Sequence, residues 1–232
     1  MFVRIERCKS LAKILLNRPA KAHAYHQAML DELESAFETL SKEYPVLVVG
    51  STGERHFCAG ADIQELWEKT SLDALELRSQ RIFEQLAQSA SISIAALQGP
   101  AIAGGFELAL ACDLRIAAPA AYFKLPELSL SLIPSAGGCT RLTQLVGQSR
   151  AKAVILGAET IDAQTAHSWG IVNRIDASPL DAAVRWGQQI AQNDNLALRL
   201  AKQVLNNPSL EKERLSEAIL YANRASKSHS KG

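Results

Sequence analysis

Two acidic residues and two glycine-rich turns are the parts of this sequence whose types and spacing could do chemistry. Glu107 sits in Phe106-Glu107-Leu108-Ala109-Leu110-Ala111, with apolar neighbours on both sides. A carboxylate in such company is costly to bury unless it is paired, protonated or catalytic. Glu127 lies in Phe123-Lys124-Leu125-Pro126-Glu127-Leu128, a loop-like segment within a second apolar stretch. A solvated acid, or a partner for Lys124, is the plainer reading there. Placed in one dry pocket, two carboxylates have pKa values pushed apart or upward, which suits one to give a proton while the other takes one.

The turns are His56-Phe57-Cys58-Ala59-Gly60-Ala61-Asp62 and Gly99-Pro100-Ala101-Ile102-Ala103-Gly104-Gly105. Each follows an apolar run and precedes a helical pattern. Small residues leave backbone N–H groups unscreened, and a helix N-terminus adds partial positive charge. Taken singly, such a turn is most often tight packing. Two of them converging on one oxygen would form an oxyanion hole, which stabilises developing negative charge. Glu107 falls three residues after Gly104, so one helical turn carries both groups in the same direction.

Other chemistries find no support. The sequence contains no GxSxG elbow, no GxxxxGK phosphate loop and no GxGxxG fingerprint. His23 and His26 could share a helix face, but no third ligand lies near them, so they read as surface or capping residues rather than a metal site. Cysteines at 8, 58, 112 and 139 form no CxxC pair, which argues against a disulfide framework and for a reducing compartment. Lys and Arg number 25 against 24 Asp and Glu, so nothing favours a nucleic-acid partner. The N-terminal residues carry charges throughout, unlike a signal peptide. The uncharged stretch from Gln85 to Phe106 is broken by serines, glutamines and Gly99-Pro100, unlike a membrane span. The expectation is a soluble, cytoplasmic protein without a metal. At 232 residues and 47% hydrophobic, the chain can bury a sizeable core.

The elements that must position these residues read as α/β. Val3 to Arg7 alternates like a half-buried strand, with Leu11 to Leu16 as its hairpin partner. Met29, Leu30, Leu33, Phe37 and Leu40 recur at helical spacing. Val46 to Val49, Ile92 to Leu97 and Leu114 to Ala117 are short apolar runs typical of strands covered on both faces. Asp62 is expected to cap a helix through Trp67, a longer helix is expected over Leu72 to Gln88, and Gly104-Gly105 opens another through Cys112. This alternation predicts a largely parallel sheet. Strand signals vanish after residue 176, which divides the chain into a core over 1–176 and a helical region over 177–232. The expected helix at Leu196 to Leu205 has a second apolar face, fit for a neighbouring subunit. No internal repeat is visible.

At its motifs the sequence resembles the crotonase (enoyl-CoA hydratase/isomerase) superfamily. The resemblance runs from Val3 to about Leu205 and is carried by FCAGAD (57–62), AIAGGFELALACD (101–113), LPELSLSLIPSAGGCTRL (125–142) and the stretch from Ala163 to Ile175. It implies a spiral of ββα units followed by helices that build trimers, often stacked into hexamers. The implied substrate is an acyl thioester of coenzyme A or of an acyl-carrier protein, with no permanently bound cofactor. The thioester oxygen would accept hydrogen bonds from the N–H groups of Ala61 and Gly104. Glu107 would orient and deprotonate a water, Glu127 would exchange the proton at C2, and the N–H of Ser135 would help to hold the water. Lys21 would meet a CoA phosphate, the adenine end would lie against Ala59 and Ala61, and Ala22, Asp62, Ile63 and Pro126 would complete the binding set.

Departures from the family pattern are specific. His23-Ala24-Tyr25 replaces Asn-Ala-Leu, Gln64 stands where a hydratase often has lysine, and Ala103 and Ser131 replace glycines. The chain ends soon after Tyr221-Ala222-Asn223, without the family's acidic-glycine segment and final Lys-Arg-x-Pro-x-Phe helix. Retention of both acids favours hydration of a 2-enoyl-CoA. Isomerisation, decarboxylation or thioester hydrolysis would use the same oxyanion, and a non-catalytic acyl-CoA-binding subunit is the reading from another class.

Overall fold

A computed structural model describes residues 1–68 and 70–229. The hairpin of β1 (Val3–Arg7) and β2 (Ala12–Leu16) is antiparallel, with Val3 opposite Leu16. β3 (Val46–Ser51) and β4 (Ile92–Leu97) extend the sheet in parallel. A two-residue strand, β5 (Ala101–Ile102), follows before β6 (Leu114–Ala117) pairs with β4. β7 (Tyr122–Lys124) and β8 (Ile161–Asp162) join β5 in a second sheet, and β9 (Arg174–Ile175) closes the first. The main order is β1-β2-β3-β4-β6-β9 and the minor order β5-β7-β8.

The central strands are buried on both faces, and alternate residues feed different layers. Leu47, Val49, Ala95 and Leu97 join the main core with α1 (Gln27–Glu43), whose buried stripe is Met29, Leu30, Leu33, Ala36, Phe37 and Leu40. Val46, Val48, Ile94 and Ile116 face the opposite way, against Ala182 and Ala183 of a later helix. That helix, α8 (Pro179–Ile190), covers the second face of the sheet.

A repeat absent from the sequence is present in the topology. A long strand in the main sheet is followed by a short strand or single bridge in the minor layer, and then by a helix. β2 leads through the Tyr25–Ala61 bridge to α1, and β3 through the Cys58–Ala101 bridge to α2 (Ile63–Glu68). After α3 (Ser71–Glu76) and α4 (Arg78–Ala87), β4 and β5 lead to α5 (Gly104–Ala111). β6 and β7 then lead to α6 (Gly138–Leu156), which is bent at Gly147, and β8 leads to α7 (Ala163–Ser168). α8 (Pro179–Ile190), α9 (Asn195–Asn206) and α10 (Leu210–His229) complete the chain.

Two expectations need correction. The single helix over Leu72 to Gln88 is two helices, α3 and α4, broken at Leu77 with φ 29°. A capping box between Thr70 and Asp73 starts the first of them. Glu127 lies in a 3₁₀ turn, Glu127–Leu130, rather than in a plain loop. α9 is pinned by Lys202, whose ammonium is buried against Asp113 (2.8 Å) and the carbonyl of Ser91 (2.8 Å). Its second apolar face is open, with Leu205 exposed.

Candidate active site

The two amide turns meet where the minor layer ends. Tyr25 donates from its N–H to the carbonyl of Gly60 (2.8 Å) and accepts from the N–H of Asp62 (2.8 Å). This bridge uses the groups on either side of Ala61 and leaves the Ala61 N–H outside the ladder. Ala103 caps α5 at φ 51°, ψ −130°, a conformation that L residues rarely adopt. Its carbonyl takes the N–H groups of Phe106 (2.9 Å) and Glu107 (3.1 Å), while the Gly104 N–H enters no hydrogen bond among the described residues. Gly60 joins the turns: at φ 96°, a Cβ there would stand 3.1 Å from the Gly104 nitrogen and 3.0 Å from the Ala103 Cβ. Only glycine allows both that φ and that approach.

Every residue of α5 is buried, Glu107 included at 3% exposure. The helix runs through the core and carries its acid inside. Glu107 Oε1 accepts from the Gly138 N–H at 2.8 Å. A Cβ at Gly138 would fall 2.9 Å from that oxygen and 2.7 Å from the Pro134 Cβ, so the first turn of α6 can reach the acid only through glycine. Burial pushes the Glu107 carboxyl up, while the backbone of Gly138 and Ala136 and the charge of Arg141 pull it down. Arg141 is fixed in turn by an ion pair with Glu84 and a bond to the Ala136 carbonyl.

Glu127 is 9% exposed, and neither of its carboxyl oxygens has a hydrogen-bond partner among the described residues. Burial pushes its pKa up to about 7, with the Glu107 charge adding to the shift. The two acids are thus close enough to sense each other, and they differ in kind. Glu107 is anchored by the backbone, whereas Glu127 is desolvated and unengaged. Two carboxyls held apart in this way can divide acid and base roles near neutral pH.

The residues singled out for CoA also come together, in two groups. Ala59 donates from its N–H to the Ala22 carbonyl (3.0 Å). Asp62 pairs with Arg18 at 2.6 Å and caps α2 through the Gln64 N–H (3.0 Å). The Arg18 guanidinium, foremost, holds the Asp62 carboxyl below its usual range, and Lys21 contributes. Lys21 and Ile63 are exposed beside them. Pro126 and Ser135 lie in the loops on either side of Glu127, and Gln80 of α4 donates to the Ser135 carbonyl (2.7 Å).

His26 does cap α1, accepting the Met29 N–H (3.3 Å). His23 departs from expectation, because it is buried and its Nδ1 accepts the Arg18 N–H (3.1 Å). Among the described residues no cluster of His, Cys, Asp or Glu could hold a metal, and no helix is long and apolar enough to cross a membrane. All four cysteines are unpaired.

Sequence reasoning missed three participants. Gly138 and Arg141 could have been suspected from the Ala136-Gly137-Gly138 run, but the Gly138 bond to Glu107 spans 31 residues and Arg141 acts on that acid only through its charge. Tyr25 carried no chemical signal of its own. Ala103 and Ser131, noted as replacing glycine, both have positive φ, 51° and 57°, which is the physical reason glycine is common there.

The family model for enoyl-CoA hydratase/isomerase matches residues 6–231. The 2,3-dehydroadipyl-CoA hydratase of Escherichia coli is 36% identical over 204 residues, covering 87% of this chain and 80% of its own. The crystal structure of an enoyl-CoA hydratase from Bacillus anthracis superposes with a TM-score of 0.89 at 33% identity, over 96% of this chain and 90% of that one. A similar chain from Thermobifida fusca, solved in complex with CoA, gives a TM-score of 0.88 at 30% identity, over 97% and 95%.

Proposed function

The chain belongs to the enoyl-CoA hydratase/isomerase family and is a hydratase-like enzyme of the crotonase fold; from that premise we propose that Glu107 and Glu127 add water across the 2,3 double bond of a 2-enoyl-CoA. The N–H groups of Ala61 and Gly104 hold the thioester oxygen, and the charge that grows there as the α-carbon becomes enolate-like draws both bonds tighter. Glu107 orients the water and takes its proton while the oxygen bonds to C3. Glu127 delivers a proton to C2. Exchange with solvent returns both acids to their starting states.

One observation carries the reading: both Glu127 oxygens are buried and unpartnered, and the carboxyl has a pKa of about 7. Such a group fits a proton donor that waits for its substrate. In the same proposal Lys21 meets a CoA phosphate, Ala22, Ala59, Ala61, Asp62 and Ile63 line the nucleotide end, and Pro126 and Ser135 border the acyl end. A carrier-protein thioester would present the same reactive group. Assembly into trimers or hexamers through residues 177–232 is supported by the open face of α9 and by a cleft of about 1130 Å³ lined by Arg81, Leu110, Arg141, Leu198 and Leu205. Four unpaired cysteines suit a cytoplasmic setting.

Incubation with 2-enoyl and 3-enoyl thioesters, with products read by mass, tests this directly. Gain of one water on the 2-enoyl substrate is expected, lost in Glu107→Gln and in Glu127→Gln. A 3-enoyl thioester converted to its 2-enoyl isomer, without hydration, would overturn the assignment.

A further inference from the structure

Tyr25 touches both halves of the proposed oxyanion pair through different parts of itself. Its main chain forms the bridge to Ala61, with bonds of 2.8 Å on either side of that residue. Its phenol reaches the other turn, where a Cβ built on Gly104 would fall 1.9 Å from the Tyr25 oxygen and 2.8 Å from Cζ. The hydroxyl therefore rests against the Gly104 backbone and occupies the place a side chain would take.

The phenol is itself held in position. The Tyr25 ring meets Phe83 edge-on at 5.8 Å, and the Ser79 side chain lies close enough to its hydroxyl to act on its ionisation, both from α4. Tyr25 is only 6% exposed. Glu107 and Glu127 both act on its ionisation, so the phenol lies within range of both acids. Burial, foremost, and then these carboxylates push its pKa well up, so the phenol keeps its proton throughout the working range of the enzyme.

From this geometry we infer that Tyr25 is a positioning residue that fixes the spacing of the Ala61 and Gly104 amides, its backbone clamped to one and its hydroxyl seated on the other. The inference rests on the reading of those two amides as the oxyanion pair. Hydrogen-bond donors aimed at a developing charge lose effect quickly when misplaced, since a shift of about 1 Å can reduce the rate roughly a hundredfold. A residue that only filled the core would affect stability and leave the polarisation of the bound thioester unchanged.

Tyr25→Phe keeps the ring against Phe83 and removes the atom seated on Gly104. Ser79→Ala leaves the tyrosine in place and removes the polar neighbour of its hydroxyl. The probe is butyryl-CoA labelled with ¹³C at the thioester carbonyl, which has no double bond to hydrate, and the readout is the carbonyl stretch of the bound ligand by difference infrared spectroscopy. The wild-type band is expected below that of free butyryl-CoA. Tyr25→Phe is expected to return it part of the way, with Ser79→Ala returning it less. With a 2-enoyl-CoA, Tyr25→Phe is expected to lower kcat roughly tenfold or more, with KM changed less than about threefold and the thermal midpoint nearly unchanged. An identical band in wild type and Tyr25→Phe overturns the inference, and so does a wild-type band that is not displaced. A wild-type shift that Tyr25→Phe diminishes, in a protein that hydrates no enoyl-CoA, upholds the inference and overturns the hydratase assignment.

Discussion

Replacing Glu127 by glutamine should separate the stability of the site from its chemistry. In the fold, burial moves the Glu127 carboxyl from 4.5 to about 7. The difference corresponds to about 3 kcal/mol disfavouring the charged form. Below pH 4.5 the carboxyl is protonated in both folded and unfolded chains, and the penalty is absent. As the pH rises from there the unfolded chain ionises first, so stability falls until the folded carboxyl also ionises near 7, and above that the loss is complete. Glutamine has nearly the same shape and never ionises. Comparing the two proteins at pH 4 and at pH 8 cancels the cost of burying an amide, which does not change with pH. Glu127→Gln is therefore expected to gain about 3 kcal/mol on wild type between pH 4 and pH 8, read from urea unfolding at each pH. Turnover of a 2-enoyl-CoA is expected to fall on the order of 10²-fold or more. A stability difference that stays constant with pH would refute the burial argument. A gain in stability with turnover intact would refute the catalytic role.

Three further substitutions test the scaffold. Gly138→Ala sets a methyl 2.9 Å from Glu107 Oε1 and 2.7 Å from the Pro134 Cβ, so it should lower kcat more than tenfold while far-UV circular dichroism stays native. Ala103→Gly relieves the φ of 51°; strain relief of about 1–3 kcal/mol against about 0.5–1 kcal/mol of added chain entropy predicts a net gain near 1 kcal/mol in denaturant unfolding. Lys202→Met leaves Asp113 without its cation and takes from the Ser91 carbonyl the shorter of its two donors. It should cost about 3 kcal/mol in urea unfolding and loosen α9, seen as faster amide exchange there.

The sequence carried the parts of the fold that follow from periodicity. The β-branched run Val46 to Val49 and the stripe from Met29 to Leu40 each match one period and one burial pattern, so β3 and α1 were legible. Glu107 was legible for a related reason, as an acid in a fully apolar helix. The short strands β5, β7, β8 and β9 were not, because two or three residues cannot display a period of two. The break at Leu77 escaped because apolar spacing continues across it; the Thr70-x-x-Asp73 cap was the available local signal. Neighbours in sequence give His23 no burial, yet the fold of the segment after β2, where its Nδ1 accepts the Arg18 N–H, does. The contacts that complete the site, Gly138 to Glu107 and Tyr25 to Gly104, join segments one and two spiral turns apart. No local pattern specifies them.

In the proposed mechanism the two carboxyls, facing two main-chain amides, deliver water to one face of a carbon–carbon double bond. Proton NMR of a four-carbon 2-enoyl-CoA incubated in D₂O follows each transferred atom. The expected product is a 3-hydroxyacyl-CoA with a single deuterium at C2, one stereoisomer only, and no such product is expected from the Glu107→Gln/Glu127→Gln double variant. Equal deuteration in wild type and double variant, or a substrate that emerges without oxygen at C3, would contradict that mechanism.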